Sequence, residues 1–322
     1  MSMVVKQVYG LALIQDQGRY GCYDYGITTG GAMDRDSHDM ANLLVDNSET
    51  AATLELSMAT IVFEASKPML LCLCGAESDL TVNGQSVPMW QSFAVKAGDS
   101  IEIKAPTKGC RAYLAVNGGI DTNLFLNSRS TVVREGIGGF EGISIKFGDV
   151  LPVASEVTEA ELSSRAHKSC DEQYMPHFQT EVDLRVVWGY QHQQFSDVQK
   201  QLFFSSAYEV TNQSDRMGYR LSGQPVICDS YKLASEGICL GAIQIPADGQ
   251  PIILMRDRQT IGGYPKIGAI LSIDLNQLSQ LTAGGIVRFT PITVEDSHNA
   301  LHKHQFWLKK RIESIKAIHT ER

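Results

Sequence analysis

The sequence predicts a mainly β protein built from two β-domains, and three observations lead to this prediction. Short β-like runs recur in both halves of the chain, turn-forming Gly, Asn, Asp and Pro separate them, and only two segments show helical patterning. Recurrence of this kind is typical of a sandwich or barrel rather than of alternating βαβ units. A chain of 322 residues is also long enough to bury two hydrophobic cores.

The N-terminal half contains one helical segment among its strand-like runs. These runs are TIVFEA, PMLLCLCG, SDLTVNG, SFAVKAG, DSIEIKAP and CRAYLAVNGG. The helix is predicted from Asp34 to Val45, because Asp34 can cap its N-terminus and its apolar residues share one face. We expect Cys72 and Cys74, which alternate within PMLLCLCG, to be buried core thiols rather than metal ligands, because no further ligand follows at metal-site spacing.

A polar segment divides the chain. Residues 154–182 are rich in Ser, Glu and His, and we interpret them as a linker between a domain at 1–153 and a second domain at 183–293. The strand-like runs of the second domain are VDLRVVWG, AYEVTN, QPIILMRD, GAILSID and GIVRFTP. Apolar residues at helical spacing predict a helical tail at 294–322.

Composition excludes several classes of protein. The formal net charge is -8 and no basic stripe is present, which argues against a nucleic-acid-binding protein. The first residues lack the features of a signal peptide, and no apolar run approaches the length that spans a bilayer. The seven Cys are odd in number and irregularly spaced. We therefore expect a cytoplasmic protein with reduced thiols and no membrane association.

Three segments carry dense, ordered motifs. They contain IQDQGRYG followed by GITTGGAMDRDSHDMANLL, then GCRAYLAVNGGID followed by LNSRSTVVREGIGGFEG, and finally YEVTNQSDRMGYRLSG followed by SEGICLGAIQIPADGQPIILMRDRQTIGGYPKIG. Together these motifs resemble the family of allophanate hydrolase subunit 2, KipA and the C subunit of 5-oxoprolinase, which is related to biotin-dependent carboxyltransferases. The resemblance extends from about Leu13 to Phe289. It implies a cyclophilin-like barrel in the C-terminal domain, and hence two β-barrel-like domains with a C-terminal helix.

Two arginines in these motifs are candidate substrate-binding residues. Arg19 lies between two glycines, and its planar guanidinium suits a carboxylate or a phosphate. Alternatively, Arg19 ties Asp16 into a tight turn. Arg216 can reach a cleft from a turn, or it can form a salt bridge with Asp215 in a surface turn.

The stretch QIPADGQPIILMRDRQTIGGYPKIG is richest in candidate site residues. A predicted buried strand, PIILM, opens into a Gly-rich loop with polar side chains, as in sites that a rigid scaffold supports. Strand alternation predicts that Asp257 and Gln259 share one face. The candidate catalytic residues are Asp257, Tyr264 and Lys266. Tyr264 can donate a hydrogen bond, and Lys266 can hold a carboxylate, carbonyl or phosphate. The candidate substrate-binding residues here are Gln244, Gln259 and Thr260. The alternative is an ordinary loop with a structural Asp.

The resemblance implies a subunit of an ATP-dependent 5-oxoprolinase complex, a hydrolase that opens the cyclic amide of 5-oxoproline to give glutamate. It also implies two protein partners, an allophanate hydrolase subunit 1-like (KipI-like) protein and a LamB/YcsF-like protein. The sequence has neither a GxSxG nucleophile elbow nor a P-loop. We therefore expect ATP to be shared with, or supplied by, the partner subunits, and we expect no metal or biotin attachment site in this chain.

Two other functions stay open. The chain can be a carboxyltransferase-type subunit that acts on a urea-like amide with biotin, although no biotin machinery is fused to it. It can also be a non-enzymatic, KipA-like regulator that binds a kinase-inhibitor partner. In the two enzymatic cases the ligand is a small anionic or amide substrate.

Overall fold

The computed structural model describes residues 2–154, 158–229 and 233–320. The chain divides into two compact units. The sheet unit comprises residues 1–19, 30–178 and 307–322, and the barrel unit comprises residues 20–29 and 179–306.

Nine strands form one sheet in the described part of the sheet unit. Their bounds are β1 (Ser2–Gln15), β2 (Thr53–Ala65), β3 (Met69–Glu77), β4 (Leu80–Val82), β5 (Gln85–Ser86), β6 (Phe93–Val95), β7 (Ser100–Ile103), β8 (Lys108–Val116) and β9 (Val150–Pro152). The order is β5-β4-β7-β2-β8-β3-β6, and β1 pairs with both β2 and β9. The antiparallel β1–β2 pair contains two bulges. At one of them Gly10 has a φ of 86°, and a Cβ there would lie 2.4 Å from the carbonyl oxygen of Met58, which explains the glycine.

Strand β3 is buried on both faces, which explains its continuous apolar sequence. Leu71 and Leu73 face a hydrophobic cluster that includes residues of β1, β2 and β7. Cys72 and Cys74 face a second cluster, to which helix α1 (Arg35–Leu44) contributes its apolar residues. Alternation along one strand therefore supplies both clusters. The two thiols are buried core groups, as the sequence predicts.

Side-chain caps mark the N-termini of α1 and of helix α2 (Glu159–Arg165). The carboxylate of Asp34 accepts a hydrogen bond from the backbone nitrogen of Ser37 at 3.2 Å, which confirms the predicted start of α1. Thr158 caps α2 and forms a capping box with Glu161.

Residues 158–178 pack within the sheet unit. Leu162 of α2 and Cys170 are buried in the cluster that contains Cys74. The interpretation of residues 154–182 as a linker does not anticipate this packing. Residues 155–157 of that segment lie outside the described residues. The sequence predicts domains at 1–153 and 183–293, a linker at 154–182 and a helical tail at 294–322. These domain boundaries stay a prediction.

Seven strands of the barrel unit form a closed barrel. The strands of this unit are β10 (Glu181–Trp188), β11 (Tyr208–Val210), β12 (Gly218–Gly223), β13 (Glu236–Gly237), β14 (Ala242–Gln244), β15 (Ile252–Leu254), β16 (Ile261–Gly262), β17 (Lys266–Ile270) and β18 (Ile286–Pro291). The barrel order is β10-β17-β14-β15-β12-β11-β18, and parallel pairing of β18 with β10 closes it. Strands β13 and β16 pair separately as a short antiparallel ribbon. The predicted mainly β fold with a barrel is confirmed.

The described residues form three further α-helices. Helix α3 (Asp197–Ser205), which the sequence patterns do not predict, packs on β18, where the ring of Phe203 stacks on that of Phe289 at a centroid distance of 4.4 Å. Helix α4 (Leu275–Ser279) follows β17. Helix α5 (Val294–Thr320) confirms the predicted C-terminal helix. None of the helices in the described ranges is long and apolar enough to cross a membrane.

Candidate functional site

Several predicted site residues converge in the barrel unit, near the ends of β14, β16 and β17. Gln244 ends β14 and is paired in register with Lys266, the first residue of β17. Strand β15 ends at Leu254, and a turn and a loop connect it to β16. Because Asp257 and Gln259 follow the strand rather than continue it, the predicted strand alternation of these two residues is wrong.

The side-chain amides of buried Gln244 and half-buried Gln259 lie near Gly262. A Cβ on Gly262 would lie 3.2 Å from Nε2 of Gln244 and 3.6 Å from Nε2 of Gln259. Within the described ranges, Nε2 of Gln244 and Oε1 of Gln259 are buried and have no hydrogen-bond partner. An unsatisfied buried polar atom costs about 1–3 kcal/mol. We call these two side chains the amide pair. A ligand that supplies one acceptor and one donor would satisfy both atoms and so stabilise the protein.

Lys266 is held beside the amide pair by an ion pair. Its buried ammonium contacts a carboxylate oxygen of Glu236. Gln191 braces both residues, since its Nε2 donates to Glu236 at 2.9 Å and its Oε1 accepts from the backbone nitrogen of Lys266 at 2.8 Å. An ammonium has three donor hydrogens, so Lys266 can bind a ligand oxygen while it keeps its contact with Glu236.

Arg216 and Asp257 form a buried bidentate salt bridge. Nε and Nη2 of Arg216 donate to the two carboxylate oxygens of Asp257, each at 2.9 Å. The expected surface partner, Asp215, instead accepts hydrogen bonds from the backbone nitrogens of Met217 and Gly218. The surface-turn interpretation of Arg216 is wrong, because the side chain is buried and its carboxylate partner is distant in sequence. This geometry fits a pair that positions the loop after β15.

The remaining candidates have different surroundings. Thr260 is buried, and its backbone oxygen accepts a hydrogen bond from the backbone nitrogen of Ile238 at 3.0 Å. Tyr264 is 49% exposed. Arg19 belongs to the sheet unit, where its Nη2 donates to the backbone oxygen of Ser130 at 2.6 Å. A substrate-binding role for Arg19 stays a prediction.

Sequence reasoning missed Arg258. This arginine is buried, its Nε donates to the backbone oxygen of Ile238 at 3.2 Å, and its Nη1 donates to that of Met255 at 3.2 Å. The guanidinium also lies 5.3 Å from the ring centroid of Tyr23. Burial lowers the pKa of Arg258 to about 10, so the group is still charged at neutral pH. No short motif marks such a residue, since its surroundings come from distant parts of the chain.

Metal coordination finds no support in the residues that the structure covers. No group of three or more His, Cys, Asp or Glu side chains among them is arranged to hold a metal ion. The site residues described above can supply hydrogen bonds from amides and stabilisation of negative charge by cations.

Comparison with known proteins identifies the family. The family model for the carboxyltransferase domain, subdomain A and B, matches residues 25–291. The C subunit of the 5-oxoprolinase of Escherichia coli (strain K12) is 33% identical over 92% of this chain and 93% of that protein. Its counterpart of the same description in Haemophilus influenzae is 30% identical over 94% and 96% of the two chains. The crystal structure of the K. lactis urea amidolyase matches with a TM-score of 0.88 and 25% identity, over 98% of this chain and only 20% of that one. The chain therefore belongs to the family of the carboxyltransferase domain, subdomains A and B.

Proposed function

We propose that this chain is the subunit of an ATP-dependent 5-oxoprolinase complex that binds the lactam of 5-oxoproline while it is opened to glutamate. The two relatives described as the C subunit of 5-oxoprolinase support the assignment to such a complex. The observation that carries the proposal is the amide pair, with a buried donor on Gln244 and a buried acceptor on Gln259 that no described residue satisfies.

A lactam matches the amide pair in hydrogen-bonding chemistry. Its ring holds the C=O and the N–H of one amide on the same side, so it presents an acceptor and a donor to a single surface. Nε2 of Gln244 would donate to the lactam oxygen, and Oε1 of Gln259 would accept from the lactam N–H. The apolar side chain of Ile238 lies next to Gly262 and would contact the ring methylenes.

Lys266 would stabilise the negative charge that develops on the lactam oxygen. Its register with Gln244 places both residues at neighbouring strand ends. A cation fixed in a site with little water stabilises such charge more strongly than it would in bulk water. Glu236 and Gln191 would keep the ammonium oriented. Asp257 would act through Arg216 by fixing the loop that carries Gln259.

ATP and the remaining parts of the reaction are assigned to the complex. Phosphorylation of the lactam oxygen by ATP turns that oxygen into a leaving group. The sequence has no nucleotide-binding loop, so we place the nucleotide largely on the partners, a KipI-like protein and a LamB/YcsF-like protein. By itself the chain should then hydrolyse negligible ATP in the presence of 5-oxoproline.

A urea-type carboxyltransferase is the second candidate function. Urea carries the same C=O and N–H groups as a lactam, so the amide pair would accept it. The structural match to the K. lactis urea amidolyase favours this candidate. The two functions differ in the ligand that the chain binds, which makes them separable by titration with urea and with 5-oxoproline.

Replacement of Gln244 by leucine tests the proposed function. Gln244→Leu removes the donor with little change in volume. ATP-dependent hydrolysis of 5-oxoproline by the assembled complex should fall at least about tenfold, through loss of one hydrogen bond in a desolvated site. The melting temperature should not fall, because the removed amide nitrogen has no partner in the described protein.

Gln213→Leu is the matched control, because Gln213 is exposed. It should leave both hydrolysis and melting temperature unchanged. Normal turnover in the Gln244→Leu complex would contradict the proposed role of the amide pair.

A further inference from the structure

Arg258 is a buried cation whose orientation is fixed by hydrogen bonds from Nε and Nη1, while its Nη2 makes no hydrogen bond to the described protein. Its Nε and Nη1 are bound to two backbone oxygens, and the ring of Tyr23 packs against the guanidinium. Nη2 donates to no acceptor in the described protein, and no described carboxylate forms a salt bridge with it. Structural arginines in this unit, such as Arg216, have a carboxylate partner. Arg258 lacks one among the described residues.

A buried guanidinium without an anion is energetically unfavourable. Desolvation disfavours its charged form, and the lowered pKa of Arg258 reflects this cost. Backbone oxygens offset part of the cost, but they carry no full negative charge. An anionic ligand at Nη2 would supply a charge-assisted hydrogen bond, which is stronger than a neutral one.

The position of Arg258 relates it to the amide pair. Arg258 and Gln259 are consecutive in sequence. The backbone oxygen of Ile238 accepts a hydrogen bond from Nε of Arg258, while Cδ1 of Ile238 would lie 2.7 Å from a Cβ on Gly262. Ile238 therefore contacts Arg258 through its backbone and lies next to Gly262 through its side chain.

5-Oxoproline has its functional groups in a corresponding order. Its carboxylate is attached to the ring carbon that is bonded to the lactam nitrogen. A ligand whose N–H reaches Gln259 would therefore carry its carboxylate on the side of the neighbouring residue, Arg258.

The geometry points to Arg258 as the residue that binds the carboxylate of 5-oxoproline and selects a lactam acid over a neutral amide. This inference rests on the proposed function, because it takes the amide pair as the lactam site. Urea and the ureido ring of biotin have no carboxylate at this position. Arg258 therefore acts as a specificity determinant between the two candidate substrate classes.

Titration with three ligands tests the inference on the unaltered protein. The ligands are 5-oxoproline, its neutral carboxamide and 2-pyrrolidinone, which is the same lactam without a carboxylate. Calorimetry on the purified chain, alone and mixed with its partner subunits, should show that 5-oxoproline binds about ten- to a hundredfold more tightly than the other two. Arg258→Met should remove this preference and leave the affinity for 2-pyrrolidinone unchanged, whereas Arg258→Lys should keep part of it.

The possible outcomes separate the inference from the proposed function. If the unaltered protein binds all three ligands equally, the lactam site stands and the role of Arg258 is wrong. If Arg258→Met is folded and keeps the preference, the role is also wrong. If no preparation binds any of the lactams, the proposed function fails together with the inference. Because the ligand series needs no variant, the result does not depend on whether Arg258→Met folds.

Discussion

Glu55 in the sheet unit and the amide pair in the barrel unit are both buried polar groups, yet they differ in how far their hydrogen bonds are satisfied. Oε2 of Glu55 accepts from the backbone nitrogen of Met33 at 2.9 Å and from the hydroxyl of Tyr113 at 2.8 Å. The Tyr113 hydroxyl in turn accepts from the backbone nitrogen of Asp34 at 2.8 Å. The amide pair has two buried atoms that no described residue satisfies.

This difference separates groups that maintain the fold from groups that are suited to a ligand. Burial, followed by the charge of Glu55, raises the pKa of Tyr113 well above its usual value, so the phenol stays protonated and keeps donating. Oε2 of Glu55 and the hydroxyl of Tyr113 are therefore satisfied within the protein. The amide pair becomes complete only when another molecule provides its partners.

The largest effect is expected from breaking the satisfied cluster. Tyr113→Phe removes the donor to Glu55 and the acceptor for the backbone of Asp34. The free energy of unfolding in urea should fall by about 2–4 kcal/mol, because one lost bond involves a buried carboxylate. Tyr9→Phe, at a residue that is 66% exposed, is the control and should change little. An unchanged unfolding midpoint for Tyr113→Phe would contradict the structural role of the cluster.

A smaller effect, on activity instead of stability, is expected from filling the space between the amides. The added methyl group of Gly262→Ala would approach Cδ1 of Ile238 and Nε2 of Gln244, which are the ends of flexible side chains. The folded protein should therefore tolerate it at a cost of about 1–3 kcal/mol. A lactam could no longer reach both amides, and 5-oxoproline hydrolysis by the complex should fall at least about tenfold.

Gly237→Ala is a matched control on the neighbouring strand of the β13–β16 ribbon, since a Cβ there meets no atom within 4 Å. It should leave hydrolysis intact. Equal activity of the two alanine variants would show that the space beside Gly262 is not used by the substrate.

The smallest effect is expected at a satisfied group near the surface. Burial alone would raise the pKa of Asp46, but hydrogen bonds from Lys168 and Arg165 hold it below its usual value. A lowered pKa means that the carboxylate stabilises the fold above its unfolded-state pKa, and that this contribution is lost as the pH falls through the folded-state pKa. Asp46→Asn should lower stability by less than about 1 kcal/mol at pH 7, because such partly exposed pairs contribute little.

The difference between the Asp46→Asn variant and the unaltered protein should vanish in strong acid. Thermal unfolding at several pH values measures this. Asn tolerates the left-handed backbone found at Asp46, where φ is 60°, so backbone strain does not complicate the comparison. A difference that persists in strong acid, where the carboxylate is protonated in both states, would assign the effect to something other than the charge.

Local patterns predicted much of the fold but little of the site. The cap at Asp34 and the continuous apolar run of β3 follow from neighbouring residues, so the sequence predicts them. Helix α3 was missed because its packing depends on Phe289, far along the chain. Gln191 could not be found from sequence, because its contact with Lys266 joins residues 75 positions apart. Arg258 was missed because its partners Ile238 and Tyr23 lie far from it in sequence.

The closure of the barrel has a consequence for the order of folding. Strand β18, the last of the barrel in sequence, lies between β11 and β10, the first two. During synthesis, β10 and β11 therefore each keep an unpaired edge until β18 has left the ribosome. Pairing over such separations is slow, and exposed strand edges favour aggregation. The barrel unit should thus depend on chaperones more than a protein of the same size whose strands pair with their sequence neighbours.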